Sequence, residues 1–217
     1  MKRFLSLFAL TLVASATVVV VSMAAFATLE AQGAPAGWKM RVDRSTNAQD
    51  PDAAGAIKFV TMGKGFHATN PQAAVYWNPA NTASGTYTVH GTFILQKPSG
   101  HTNFYGIVFG GSGLEGASQS YTYFLVAQDG TFLVKKREGE VASDVIKKTP
   151  NDAVKKPGAD GKSTNALEVR VGADKIDYVV NGTVVNSSPK AGVKTDGIYG
   201  IRVNHLLEVH IDDFGKK

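Results

Sequence analysis

Two dipeptides, Asp129-Gly130 and Asn181-Gly182, each lie between runs rich in apolar residues. This is the strongest short-range signal for a β-hairpin, because a type I′ turn needs positive φ at both central residues and Asn, Asp and Gly tolerate it. The first dipeptide joins Tyr121–Ala127 to Thr131–Glu138, and the second joins Lys175–Val180 to Thr183–Val185. A two-residue turn at the first site pairs Tyr123 with Lys136 and Tyr121 with Glu138. Comparable runs recur at Ala56–Met62, Ala73–Trp77, Thr86–Gln96, Phe104–Phe109, Leu167–Val171, Ile198–Val203 and Leu206–Phe214. Within Thr86–Gln96, Tyr87, Val89, Gly91, Phe93 and Leu95 alternate with Thr86, Thr88, His90, Thr92 and Ile94. That period of two puts one set on a core face and the other on the opposite face. About ten strands in one series, with no amphipathic helix between them, predict an antiparallel sandwich or barrel and not a parallel α/β sheet. Gly111–Ser120 and Lys155–Ser163 read as the long flexible connections.

The N-terminus reads differently. Lys2 and Arg3 precede a nearly unbroken apolar run from Phe4 to Val21, and Ala25-x-Ala27 offers a small-residue cleavage site. This is the pattern of a signal peptide over 1–27, which predicts a secreted or periplasmic protein. Left uncleaved, the same run would be an anchor at the lower length limit for a membrane span. Residues 28–54 read as a linker and lead-in, with Leu29–Gly37 rich in Ala, Gly and Pro. Residues 55–217 read as one β-domain.

Composition removes several function classes. There is no Cys, which excludes disulfides, thiolate nucleophiles and Cys-ligated zinc. Net charge is +5, and without Lys2 and Arg3 the remaining 21 basic and 18 acidic residues leave +3. That excess is too mild, and too scattered, for a nucleic-acid footprint. The Lys135-Lys136-Arg137 cluster reads as a solubilising strand end. The five histidines, His67, His90, His101, His205 and His210, show neither H-E-x-x-H nor H-x-H spacing, so no transition-metal site is expected. No nucleophile elbow, phosphate loop or dinucleotide fingerprint occurs. No cofactor is expected beyond a structural calcium, for which Asp212-Asp213 or Asp50 and Asp52 are the available oxygen donors.

The order of several segments resembles the concanavalin A-like lectin/glucanase superfamily, including laminin-G-like domains and the bacterial domain related to 3-keto-disaccharide hydrolases. Those segments are Tyr105-Gly106-Ile107-Val108-Phe109, Tyr121-Thr122-Tyr123-Phe124, Asp129-Gly130, Val180-Asn181-Gly182, Gly197-Ile198-Tyr199-Gly200 and Asp212-Asp213-Phe214. The likeness spans roughly residues 56–214 and implies a two-sheet jelly roll. Laminarinase-like members carry E-x-D-x-E on one strand. Here Glu138-Gly139-Glu140 is the nearest pair, without an Asp between. The resemblance therefore implies a binding module for carbohydrate or a cell-envelope glycan. A glycoside-acting enzyme and a structural or adhesive envelope protein are the alternatives.

Alternation in the last strand turns Leu207, Val209 and Ile211 to the core and Glu208, His210 and Asp212 away from it. That row, with His90 and Arg202 if they share its sheet, suits a hydroxyl-rich ligand, because these groups supply both donors and acceptors. Tyr121, Tyr123 and Lys136 on the first hairpin form a second candidate surface. Tyr76 and Trp77 read as core.

Overall fold

The computed structural model describes residues 34–44, 48 and 50–217. The expected signal peptide lies outside these residues. The alternating runs are strands: β1 (Lys39–Asp43), β2 (Lys58–Met62), β3 (Gly65–Asn70), β4 (Ala73–Ala83), β5 (Tyr87–Lys97), β6 (Phe104–Ser112) and β7 (Ser120–Ala127). They continue as β8 (Thr131–Glu138), β9 (Val141–Pro150), β10 (Ser163–Val171), β11 (Lys175–Val180), β12 (Thr183–Pro189), β13 (Gly197–Val203) and β14 (Leu207–Lys216). They form two antiparallel seven-stranded sheets. Sheet A has the order β1-β4-β13-β6-β7-β8-β9, and sheet B the order β12-β11-β10-β5-β14-β3-β2. The expected all-β, two-sheet sandwich is what the chain forms.

The main core lies between the sheets and is built from the predicted inward positions. Tyr87, Val89, Phe93 and Leu95 of β5 meet Tyr105, Ile107 and Phe109 of β6, with Val209 and Ile211 of β14 beside them. Asn181 and Gly182 have φ of 50° and 83°, and Val180 pairs directly with Thr183, so the second hairpin turn has two residues as expected.

The first hairpin departs from the expected register. Val126 pairs with Phe132, and Gly130 N–H donates to the Ala127 carbonyl at 3.1 Å. Gln128, Asp129 and Gly130 therefore make a three-residue connection, with Gly130 at φ 82° and the Asp129 carboxylate accepting from Thr131 N–H at 3.1 Å. One extra turn residue shifts every pair by one, and a shift of one exchanges the faces of a strand. Tyr123 pairs with Lys135 and Tyr121 with Arg137. Lys136 lies opposite Thr122, on the strand side of Phe132 and Val134, and is not part of the tyrosine surface.

Three strands gave no clear sequence signal. β9 is an edge strand with nearly every residue exposed or half-exposed, β3 has six residues, and β1 lies inside the stretch read as linker and lead-in yet is paired to β4.

Sheet A is rolled. Six strands run from β1 to β8, and at about 4.8 Å per step they would lie roughly 24 Å apart in a flat sheet. Yet Arg41 of β1 contacts Glu140, just past β8, at 3.2 Å, and Asp43 of β1 contacts Arg137 of β8 at 3.5 Å. Only a strongly curved sheet brings these side chains together. The face of sheet A turned away from sheet B is therefore concave, and β1 closes over it.

Candidate functional site

The sequence-derived residues fall on two surfaces on opposite sides of the sandwich. Arg202 does not share a sheet with Glu208 and His210. It lies on β13 in sheet A, where alternation turns Ile201 and Val203 to the main core and Arg202 into the concave face.

Arg202 meets Tyr121 and Tyr123 there. Its guanidinium donates to the Asp43 carboxylate and, at 3.0 Å, to the Tyr121 hydroxyl. It also lies 5.3 Å from the Tyr123 ring centre. The Tyr121 hydroxyl in turn donates to Asp43 at 3.1 Å. Around this network Val75, Trp77, Val108, Leu114, Leu125 and Leu133 form a second apolar cluster. Burial opposes ionisation of Asp43, but Arg202 and Arg137 outweigh it and hold its carboxyl below the usual range. Burial pushes the Tyr121 phenol up to about 12; the Arg202 charge opposes this and the Asp43 charge adds to it. Burial works against the Arg202 charge, yet the neighbouring oxygens strengthen it as a base.

The concave face offers little access. Trp77 is 2% exposed and Tyr121 1%, and the Gly111–Ser120 connection turns inward with Leu114 buried. Lys39 pairs with Glu115 and Arg41 donates to the Gly116 carbonyl, so β1 and this connection meet. The connection read as a flexible loop is part of the closure.

The outer face of sheet B is open. Glu208, His210 and Asp212 project from β14 as the alternation required, and His67 of β3 is the register partner of His210. They line a shallow depression of about 920 Å³ with Met62, Lys64, Gln96 and Asp213. His67 Nε2 lies 3.1 Å from Glu208 and His210 Nε2 lies 3.0 Å from Asp212. A carboxylate accepts, so each imidazole donates from Nε2. Both Nδ1 atoms are buried and have no hydrogen-bond partner among the described residues. His90 borders the depression through Asp213, at 3.5 Å. Asp213 has φ 49° where the β14–β5 register shifts, and this bulge turns it towards His90. Asp212 and Asp213 are thus each engaged by an imidazole.

His67 was not among the sequence-derived residues. Its strand is short and flanked by Gly63, Gly65 and Pro71, which read as turn residues. Its pairing with His210 is visible only once β3 is placed beside β14.

No protein-family model matches the chain, and no curated protein is similar to it in sequence. Among solved structures, the carbohydrate-binding module CBM66 of Bacillus subtilis superposes with a TM-score of 0.57 at 13% identity, covering 83% of this chain and 95% of that one. The fold is the concanavalin A-like sandwich. A β-glucanase of Bacillus licheniformis also aligns with this chain, at a TM-score of 0.48 and 12% identity over 84% of this chain and 91% of that one.

Proposed function

We propose that this chain is an exported carbohydrate-binding module whose ligand surface is the outer face of sheet B, centred on His67, Glu208, His210 and Asp212. One observation carries the reading. The depression is open, has the volume of a small-ligand site, and presents two carboxylate-anchored imidazoles beside Lys64 and Gln96. Such a surface supplies fixed donors and acceptors to a hydroxyl-rich ligand, here a polysaccharide or cell-envelope glycan. The N-terminal run Phe4–Val21 supports export to where such glycans lie. The fold likeness to a carbohydrate-binding module agrees with this reading.

The enzyme alternative gains less. Glu208 and Asp212 are four residues apart on one strand, about 13 Å by strand rise. Paired glycosidase carboxylates stand roughly 5–9.5 Å apart.

A glycan array together with cell-wall polysaccharide pull-down tests the assignment. Wild type is expected to bind at least one glycan, with Glu208→Gln and His67→Ala each at least tenfold weaker. Binding that survives both changes but falls with Tyr123→Ala would move the site to the concave face. No binding to any glycan or wall fraction would remove the function.

A further inference from the structure

At one end of the sandwich, three connections converge. They are residues 50–57 ahead of β2, 98–103 between β5 and β6, and 204–206 between β13 and β14. Each contributes one ligand-type atom to the same point. His101 Nε2 lies 2.7 Å from Asp50 Oδ1, His205 Nε2 lies 3.1 Å from that same oxygen, and the two Nε2 atoms are 3.2 Å apart. We infer that Asp50, His101 and His205 form a binding site for one divalent transition-metal ion of the zinc class.

The convergence of the three groups carries the argument. His205 Nδ1 lies 3.0 Å from the Asp52 carboxylate and donates to it, while its Nε2 faces Asp50 and His101. The Asn103 amide nitrogen donates to Ser99 Oγ at 3.2 Å and lies 3.1 Å from His101 Nε2, which holds that ring beside Asp50. Asp50 Oδ1 completes the triangle. Two imidazole nitrogens and one carboxylate oxygen, all of metal-ligand type, thus lie within 3.2 Å of one another.

The dimensions suit a metal. Ligand atoms about 2.0–2.1 Å from a tetrahedral ion stand roughly 3.3 Å from one another, close to the triangle observed. Two imidazoles and a carboxylate suit zinc and its neighbours better than calcium, which takes six or more oxygens. Asp52 behind His205 is the outer partner that fixes a ligating imidazole. His205 is buried, while His101 and Asp50 are partly exposed, which leaves a fourth position facing solvent. No spacing motif announces the site, because its three residues come from three separate connections. It lies apart from the sheet B depression and does not depend on the carbohydrate reading.

The test uses the full chain, stripped of metal by chelator. Competition of Zn²⁺ against a chromophoric indicator should show one ion per chain, and Co²⁺ should give the intense visible bands of four-coordinate geometry. His101→Ala, on an exposed connection, should weaken binding at least tenfold while the circular dichroism spectrum is unchanged. Asp52→Asn should weaken it about 10–100-fold, as loss of an outer partner does. No Zn²⁺ bound by wild type, or equal binding by wild type and His101→Ala, would overturn the site. Either result would leave a protonated imidazole paired with Asp50 as the account of the cluster.

Discussion

Asp43 shows how one residue can depend on its partners. It is buried with Arg202, and removing one member of a buried pair leaves the other charge stranded, at about 3–5 kcal/mol. Asp43→Ala should destabilise the protein by that order in urea denaturation. The double variant Asp43→Ala/Arg202→Met should recover much of the loss, because no charge is then left unpaired; an additive double variant would mean the two residues act independently. The pH dependence follows from the direction of the shift. The folded carboxyl lies below its ordinary 3.8, so its contribution is complete above that value and disappears as pH falls through the depressed folded one. The stability gap between wild type and Asp43→Asn should stay level from about pH 7 to 5 and narrow below about 4. A gap that grew on acidification would contradict the assignment. Asn165 is a neutral counterpart. Its amide is fully buried, accepts from Lys155 N–H at 2.8 Å and from the Asn181 amide at 3.0 Å, and donates to the Lys155 carbonyl at 3.1 Å. Asn165→Ala should cost about 1–3 kcal/mol through the groups it leaves unpaired.

Among the elements, the two hairpins separate what sequence can settle from what it cannot. Asn181-Gly182 specified both the turn and the register, since both residues adopt positive φ and a two-residue turn fixes the pairing. Gly182 has open space where a Cβ would stand, so Gly182→Ala adds only backbone strain at φ 83°. A loss of about 1 kcal/mol is expected by thermal or urea melting. Asp129-Gly130 gave the turn but not its length, because the Asp129 side chain can also cap a three-residue connection. That single residue decided whether Lys136 or Lys135 and Arg137 faced the tyrosines. Strands with a buried face, such as β5 and β14, were legible because alternation records which side is dry. β9 was not, because an edge strand exposed on most positions has little apolar contrast to record. The row Glu208, His210 and Asp212 was legible for the same reason as β14. The placement of Arg202 in the other sheet was not, since it depends on pairings between strands distant in sequence.

For the whole molecule, the concave face and its closure by β1 form one unit. Trp38, next to β1, packs on Phe59, Phe66 and Phe214, with ring centres 5.3, 4.6 and 6.1 Å away. Arg41 and Asp43 close the other side. Deleting residues 1–44 removes Trp38 and leaves Trp77 as the single tryptophan reporter. Its fluorescence should shift to the red as water enters the concave face, and an unshifted spectrum would show that other residues keep that face dry. The same arrangement sets a kinetic order. Asp43 finds Arg202 159 positions along the chain, so during synthesis the strand made among the first cannot settle until almost the last has emerged. Rates fall as such distant pairings dominate. A nascent chain of this kind stays open until late and then closes in a concerted step, and a chaperone or translocation channel would have that interval in which to engage it.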